Sequence, residues 1–450
     1  MRPTVSRIIV VALAASLALA IGAAAVARSA KPAQDDLLRL SGPRLLVIAP
    51  HPDDETLGAG GAIAQARADG WKVTVVIVTN GDGFVESLRK PGGPLPTGEA
   101  LQQLGIRRAE ESRRGTNALG VPIEDVIFLG YPDSRTMRLW QTNWDADKPA
   151  DGLTGVTAVP YDFARNRGAA YTGVALERSL RQIVETTRPT TVLFPDPSDR
   201  HRDHRSVSAF TQMALQRTGY RGVKLTYLVH RLGFPVKLGS HPSEPLTPPL
   251  SLAAVGTKWH QLVLSPQVQA AKRRALTHYR TQLAAERYLL ESFLHTTELY
   301  GTPPDLAAAP NRPAIILDPA ADTPARRQLP TADITSVQIA KSGDTARVIV
   351  QVRGKVVPSV TYGLHLRALS RAGTRSFDAQ VTGGRLTVDR PSSSSVTTGY
   401  GDLSSSASQI SLTLPAELLR SADSVMVEAD TIADGSTVDF TAWRLVRLAP

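Results

Sequence analysis

The sequence predicts an α/β fold: a Rossmann-like, mostly parallel sheet with helices on both faces, followed by a C-terminal all-β, sandwich-like domain. From residue 43 to residue 230, short apolar runs alternate with stretches of helical length and pattern. Beyond residue 330, short strand patterns follow one another, separated by turns that contain Gly, Asp or Ser. A Pro- and Ala-rich interval lies between the two patterns. The chain is therefore expected to have two folded parts.

The α/β part begins with two apolar, β-branched runs at 44–49 and 72–79, which predict buried strands. The stretch 55–69 between them predicts a helix that ends before Gly70. Further strands are predicted at 125–130, 190–195 and 223–230. Strands that alternate with helices imply right-handed crossovers and hence a mostly parallel sheet.

These patterns divide the 450 residues into four parts. The parts are a signal peptide or N-terminal membrane anchor at 1–30, an α/β domain at 43–300, a Pro/Ala-rich linker at 301–330 and a β-sandwich-like accessory domain at 331–450. The last part has about the length of one β-sandwich.

The N-terminal segment is typical of exported proteins. Arg2 and Arg7 precede an uncharged apolar run at 8–26, and Ala25-Val26-Ala27 offers a cleavage site for a signal peptidase. However, about 19 apolar residues also approach the length that spans a bilayer. We therefore expect an extracytoplasmic protein, either secreted or tethered to the membrane by residues 8–26, with no other membrane contact.

The composition narrows the classes of partner and metal site. A hydrophobic content of 42% and a charged content of 20% are ordinary for a globular protein. Because the chain has no cysteine, disulfides and thiolate metal sites are excluded, and any metal must bind His and carboxylate groups. The net charge of +10 comes from scattered Lys and Arg without a long cluster, so we expect no nucleic-acid partner.

The first polar cluster, "HPDDE" at 51–55, directly follows the first predicted strand. In open parallel sheets, ligands bind at the carboxyl ends of the strands. Asp53 and Glu55 at the start of a helix would be ordinary as a cap and a first-turn acid. That interpretation does not explain why His51 is present. It also does not explain why Asp54 follows at a spacing that lets the side chains of His51 and Asp54 point into one crevice.

A second polar cluster follows the fourth predicted strand, with Asp196, Asp199, His201, Asp203 and His204. Two such clusters at the carboxyl ends of buried strands are expected to face each other. Together they offer His and Asp ligands for a catalytic Zn²⁺ with an open coordination position, although other divalent metals also fit this ligand set.

The two clusters resemble the PIG-L/LmbE-type N-acetylglucosaminyl deacetylases, which carry "PHPDDE" (50–55) followed far downstream by "HRDH" (201–204). The resemblance extends over roughly residues 43–300. It includes Arg108 and Glu111 in an Arg-x-x-Glu helix, and Lys272 and His278 in a later Lys-Ala-His-Gln helix. Arg202 stands where the family usually has Pro.

The resemblance implies a role for each residue of the two clusters. His51, Asp54 and His204 would hold zinc, and Asp53 would act as general base on the water. His201 would stabilise the oxyanion and protonate the leaving amine, and Asp203 would orient His201. Four residues are assigned to substrate contact: Arg108, Asp133, Arg202 and His278.

The sequence therefore predicts a zinc-dependent hydrolase that removes acetyl from an N-acetylated amino sugar or glycoconjugate outside the cytoplasm. A metal lowers the pKa of water and polarises the acyl carbonyl, and a neighbouring carboxylate accepts the proton. Two alternatives stay open: an amidase acting on a non-sugar acyl amide, and a non-catalytic envelope- or glycan-binding protein. The β-rich part is a candidate for contact with cell wall or polysaccharide.

Overall fold

The structure, a computed structural model, describes residues 38–88, 96–309, 312–322, 329–342, 345–370, 373–389, 403–405, 407–414, 419 and 421–448. The predicted signal peptide or anchor, including the apolar run 8–26, lies outside the described residues. Within the described part of the chain, no helix combines the length and apolar character that a membrane crossing requires.

A seven-stranded mixed sheet forms the centre of the α/β part. Its strands are β1 (Arg44–Ala49), β2 (Lys72–Thr79), β3 (Val126–Tyr131), β4 (Thr191–Pro195), β5 (Val223–Tyr227), β6 (Lys258–Val263) and β7 (Thr297–Thr302). They lie in the order β3-β2-β1-β4-β5-β7-β6. The first five pair in parallel, whereas β7 is antiparallel to both β5 and β6. The predicted bounds of β1 and β2 are confirmed, but β6 and β7 were not predicted, because their mixed polar sequences carry little strand pattern.

Seven α-helices surround this sheet among the described residues. They are α1 (Asp54–Ala68), α2 (Gly98–Ala118), α3 (Thr136–Gln141), α4 (Gly173–Thr187), α5 (Arg202–Arg217), α6 (Pro266–Leu276) and α7 (Arg280–Glu291). Alternate residues of β1 point to opposite faces of the sheet. Leu45 and Val47 belong to a core cluster with α1 and α6, while Leu46 and Ile48 belong to another with α4 and α5. The predicted helices on both faces are therefore confirmed.

The C-terminal region is rich in antiparallel strands. They are β8 (Leu306–Ala308), β9 (Ala314–Leu317), β10 (Ile334–Ser342), β11 (Thr345–Val352), β12 (Thr361–Ser370), β13 (Gly373–Thr382), β14 (Arg385–Asp389), β15 (Leu403–Ser405), β16 (Gln409–Leu414), β17 (Ser424–Ala433), β18 (Ser436–Phe440) and β19 (Arg444–Leu448). One sheet has the order β15-β16-β11-β10-β9, and the other has the order β14-β13-β12-β17-β19-β8, with β18 paired to β17. Val348 and Val350 of the first sheet and Leu364 and Leu366 of the second belong to one hydrophobic cluster.

The prediction that 301–330 is a linker is wrong for its described residues. β8 pairs in parallel with β19, and β9 pairs with β10, so this interval contributes strands to both C-terminal sheets. The Pro and Ala content suggested a spacer, but Leu306, Ile315 and Ile316 supply strand-forming side chains between the prolines.

The β-rich region also packs against the α/β part along a surface that we call the seam. The seam is formed by Trp140, Arg205 and Gln212 on the α/β side and by Arg367, Glu428 and Trp443 on the β-rich side. Arg205 forms a buried ion pair with Glu428, and Gln212 Nε2 donates to the Trp443 carbonyl at 3.1 Å. The described residues from Leu38 onward consequently form one compact unit.

Candidate functional site

The two polar clusters meet at the carboxyl edge of the sheet, where β1 and β4 lie side by side. The two strands are parallel, with Leu45 opposite Thr191 and Val47 opposite Leu193. Since β2 lies on one side of β1 and β4 lies on the other, the order of strands reverses here, and such a reversal opens a crevice for ligands. His51 follows β1 and His204 lies in the first turn of α5 after β4.

The turn between β1 and α1 holds Asp53 in a strained conformation. Its φ is +131°, a value that residues with a Cβ rarely adopt, and its carbonyl accepts hydrogen bonds from Thr56 N and Leu57 N at 2.9 Å each. Arg108 Nη2 donates to the Pro52 carbonyl at 2.9 Å and lies 3.4 Å from Asp53 Oδ2. Strain of this kind persists only where the surroundings enforce it, which is typical of functional sites.

Glu55 provides much of that support. The backbone N–H of Asp53 donates to Glu55 Oε2 at 2.9 Å, while Ser112 Oγ and Tyr279 Oη donate to Glu55 Oε1 at 2.5 and 2.8 Å. Glu55 is fully buried. It therefore links the turn to helix α2 and to the residue that precedes α7, a role beyond that of a first-turn acid.

Asp54 lies between two imidazole rings. Its Oδ2 atom is 3.0 Å from His51 Nδ1 and 3.1 Å from His204 Nε2. Burial by itself would raise the pKa of Asp54, but His204 and His51 hold that pKa well below its usual value. The three residues that the sequence assigned to the metal are thus brought together, with a negative charge between two nitrogen donors.

His204 has the surroundings expected of a metal ligand. The residue is completely buried, yet neither ring nitrogen makes a hydrogen bond with acceptable geometry, although Asp199 Oδ2 lies 3.2 Å from Nδ1. A buried polar atom without a partner is costly unless a further group binds it. Burial by itself would lower the pKa of His204. The negative charges of Asp54 and Asp199 outweigh this effect and raise the pKa to about 10. This excess of negative charge around the ring fits a bound cation.

His201 lies beside the same centre at the N-cap of α5. Its ring centroid is 4.8 Å from that of His51 and 5.1 Å from that of His204, and His51, His201 and His204 form one of the His/carboxylate groups able to hold a metal. Burial, followed by the charges of His51 and His204, lowers the pKa of His201 to about 4. The ring is therefore neutral at pH 7 in this arrangement.

Asp203 contacts other groups than those the sequence suggested. Its carboxylate is fully buried and accepts hydrogen bonds from Ser134 N at 2.7 Å and Thr136 Oγ1 at 2.5 Å, and its Oδ2 lies 3.2 Å from His51 Nε2. Only the backbone N–H of Asp203 reaches His201, at Nδ1, 3.3 Å away. The start of α3 and the His51 ring occupy the Asp203 carboxylate, so the contact of Asp203 with His201 is made through the backbone N–H, and the orienting role stays a prediction.

Two of the four predicted substrate residues form part of the centre. Asp133 Oδ1 lies 3.3 Å from His51 Nε2, and Oδ2 accepts a hydrogen bond from Gly83 N at 2.8 Å. Burial raises the pKa of Asp133, but His51 holds it well below the usual value. Arg108 is buried, and its Nη1 donates to the Gly81 carbonyl at 2.9 Å, so this guanidinium supports the Asp53 turn from behind.

The other two predicted substrate residues stand further from these contacts. Arg202 is exposed at the first position of α5. His278 is half-buried in the turn between α6 and α7, and the contacts that assemble the centre do not include it. Lys272 of the same sequence motif instead donates to the Leu57 carbonyl at 2.9 Å and to Glu298 Oε1 at 2.6 Å, which anchors α1. The substrate roles of Arg202 and His278 stay predictions.

His230 belongs to the centre but was assigned no role from the sequence. Its ring centroid lies 4.8 Å from that of His204, and with Asp54 and His204 it forms another group able to hold a metal. Burial and the charge of His204 lower its pKa to about 3. The available signal was its position after β5, which lies next to β4 in the sheet.

An α/β sheet with a buried cluster of His and Asp side chains at its strand reversal defines this chain as a candidate metal-dependent enzyme. Residues 46–215 match the family model described as PIG-L: GlcNAc-PI de-N-acetylase, and this part of the chain is a PIG-L family domain. The matched range contains both polar clusters.

Known proteins with sequence similarity carry deacetylase names. The chain is 33% identical over 186 residues to a 1D-myo-inositol 2-acetamido-2-deoxy-alpha-D-glucopyranoside deacetylase of Tsukamurella paurometabola, covering 40% of this chain and 57% of that protein. It is 24% identical over 265 residues to the diacetylchitobiose deacetylase of Thermococcus kodakarensis, covering 57% and 77%. The chain thus spans about half the length of the inositol-glycoside deacetylases that it matches. A crystal structure of a conserved protein from Thermus thermophilus aligns with 21% identity and a TM-score of 0.35, covering 58% of this chain and 94% of that one.

Proposed function

We propose that this protein is a zinc-dependent N-deacetylase that hydrolyses the N-acetyl amide of an amino sugar or glycoconjugate. The observation that supports this most strongly is the junction of His51, Asp54 and His204, where Asp54 Oδ2 lies 3.0 and 3.1 Å from one nitrogen of each ring. Asp53 adjoins this junction in a strained turn. The sugar substrate follows from the family match and from the names of the relatives.

His51, Asp54 and His204 would hold the metal, and His230 is a further nitrogen beside them. When bound, zinc would supply Lewis acidity that lowers the pKa of water and polarises the acyl oxygen. A donor set of imidazole and carboxylate without thiolate suits zinc, although other divalent metals share this preference.

Asp53 is suited to remove the proton from the attacking water. Burial raises its pKa well above the usual value, and the Arg108 guanidinium only partly opposes this. A carboxylate with a raised pKa is a stronger base at neutral pH, and general-base assistance of this kind contributes about 10²–10⁴-fold to a rate. The support from Glu55 and Arg108 keeps the carboxylate at one position while it accepts the proton.

His201 is suited to donate a hydrogen bond to the developing negative charge. Because Nδ1 accepts from the Asp203 N–H, the neutral ring carries its proton on Nε2. That N–H can stabilise the acyl oxygen in the transition state, as donors in other acyl-transfer sites do. Asp53 closes the proton balance, because it can pass the proton taken from water to the leaving amine, whereas a neutral His201 ring that lost its Nε2 proton would become an anion.

Metal analysis combined with acetate release tests the proposal. The purified chain should contain about one zinc per molecule in this centre and should release acetate from an N-acetylglucosamine conjugate. Comparison with a simple N-acetyl alkylamine separates a sugar deacetylase from a general amidase. A chain that holds zinc but releases acetate from no amide would indicate a non-catalytic binding protein.

The location and the β-rich region carry further proposals. We infer an extracytoplasmic location from the Arg-flanked apolar run 8–26, which cell fractionation with antibody detection would check.

The cluster shared by the two C-terminal sheets supports a β-sandwich arrangement. The net charge of +10 supports contact with an anionic wall polymer, which would appear as salt-sensitive retention on isolated cell walls.

A further inference from the structure

A second group of titratable side chains lies at the boundary between the β-rich region and the α/β part, outside the His/Asp centre. Asp318 follows β9, Asp322 lies in the next turn, and Asp439 lies on β18. One carboxylate oxygen from each lies within 4.8 Å of those of the other two. Three acidic groups from separated segments are thus held together without any imidazole.

Each of these carboxylates has a buried oxygen without a partner. Asp318 Oδ2, Asp322 Oδ1 and Asp439 Oδ1 make no hydrogen bond. Asp439 is 0% exposed, and its other oxygen, Oδ2, accepts from Ile334 N at 2.8 Å, which fixes the side chain in place. Buried oxygens without a donor are rare in folded proteins and point to an ion, a proton or a water.

The neighbouring arginines neutralise only part of this charge. Arg231 Nη2 donates to Asp322 Oδ2 at 2.8 Å, and Arg200 Nη1 lies 3.6 Å from the same oxygen. In the part of the chain that the structure describes, Asp318 and Asp439 form no ion pair. Burial and the adjacent carboxylates raise the pKa of Asp439 to about 7 and raise that of Asp318 well above its usual value. The cluster therefore needs either protons or a cation.

We propose that Asp318, Asp322 and Asp439 form a binding site for a divalent cation of the calcium type. The three donors are all carboxylates, which hard cations prefer. Ca²⁺ lies about 2.3–2.6 Å from its ligands, so one ion can bridge oxygens up to about 5 Å apart, whereas Mg²⁺ requires a tighter octahedron. Calcium accepts flexible, irregular coordination, which suits three carboxylates supplied by separated segments of the chain.

The position of the site gives the ion a structural consequence. Arg200 Nη2 donates to the Asp322 carbonyl at 3.1 Å, and the Arg200 guanidinium lies 4.5 Å from the ring centroid of Phe440, which follows Asp439. Arg200 directly precedes His201. Calcium at this site joins β18 and the turn after β9 to the loop that leads into α5. It binds independently of the proposed hydrolytic activity.

Calorimetric titration of the full-length, zinc-loaded chain with CaCl2 tests this proposal, together with thermal unfolding in the presence and absence of Ca²⁺. We expect one calcium per chain with a Kd of about 10⁻⁴–10⁻³ M, at the weak end of known calcium sites because two arginines are close. Ca²⁺ should raise Tm, and MgCl2 at the same concentration should have a much smaller effect. If the titration of the wild-type chain with CaCl2 gives no heat of binding, protons rather than calcium neutralise the cluster, and the proposal is overturned.

Three variants locate the site. Asp439→Asn keeps the shape of the side chain and should weaken calcium binding more than about tenfold, since ligand charge sets affinity. Asp318→Asn should weaken calcium binding to a similar extent. This second variant serves as the test if Asp439→Asn folds poorly. Asp305→Asn, at an exposed carboxylate 3.1 Å from Lys224 Nζ, is the matched control and should bind like wild type. Calcium binding that persists in both Asp318→Asn and Asp439→Asn, or that is lost in His204→Ala, would refute the assignment.

Discussion

The carboxyl edge of the α/β sheet and the seam both bury charge against helix α5, but they do so in different ways. At the edge, His204 is surrounded by Asp54 and Asp199, yet its ring nitrogens make no hydrogen bond. At the seam, Arg205, the next residue along the chain, forms a closed ion pair with Glu428 and lies 3.4 Å from the Phe440 ring centroid. The edge therefore offers buried nitrogen and carboxylate donors to a cation, whereas Arg205 at the seam already has an anionic partner. This contrast separates a candidate reactive site from a structural contact.

The largest effect is expected for His204→Ala, which removes a nitrogen donor at the centre of the edge cluster. We expect zinc to be lost and acetate release to fall to the uncatalysed level, since metal and positioning act together. Metal content by mass spectrometry and acetate assays on the same preparation check this. Full zinc occupancy in His204→Ala would show that the ligand assignment is wrong.

Asp53→Asn should have a smaller effect, and on the rate alone. The amide keeps the size of the side chain but cannot accept the proton, so kcat should fall about 10²–10⁴-fold while zinc stays bound. Single-turnover acetate release with parallel metal analysis measures both quantities. A variant with wild-type kcat would exclude Asp53 as the base.

At the seam, Glu428→Ala should destabilise the protein by about 3–5 kcal/mol, because it leaves the Arg205 guanidinium buried without its partner. Denaturant unfolding gives the free energy of unfolding directly. Glu291→Ala is the matched control, since the exposed Arg287–Glu291 pair should contribute only about 0–1 kcal/mol. Equal effects of the two substitutions would mean that the seam does not stabilise the fold.

The smallest effect concerns the pH dependence of the seam. Burial raises the pKa of Glu428 from 4.5 to about 7, although Arg205 opposes this. A carboxyl whose pKa is raised by folding contributes stability that is complete below about 4.5 and is lost as the pH rises through about 7. Glu428→Gln lacks this titration, so the wild type should lose stability relative to this variant between pH 5 and pH 8. Parallel unfolding curves at each pH measure the difference, and a constant difference would contradict the assigned pKa.

Much of the edge cluster was predictable from local sequence. His51 and Asp54 follow a strand of apolar, β-branched residues, and His204 follows another, so a parallel sheet brings them to the same edge. His230 was missed because it carries no motif, and only the adjacency of β5 to β4 places it beside His204. The contacts of the Asp203 carboxylate were also not predicted, since it accepts a hydrogen bond from Thr136 at the start of α3, which lies 67 residues away from Asp203 in sequence.

The C-terminal region was less predictable. Alternating patterns indicated strands in it, but the interval 301–330 read as a spacer because prolines and alanines dominate its composition. Its strands β8 and β9 are short and gain their hydrogen bonds only from β19 and β10, which lie far along the chain. Short strands have little intrinsic preference, so their partners decide whether they form.

The amino-acid sequence by itself determined three features: the alternation of strands and helices along the α/β part, the two polar clusters, and the family to which residues 46–215 are assigned. These features depend on local periodicity and on motifs that are contiguous in the chain. The tertiary structure alone decided the seam and the convergence of Asp318, Asp322 and Asp439. Those features join segments of the chain more than 100 positions apart, and no local pattern encodes which distant charges are buried together.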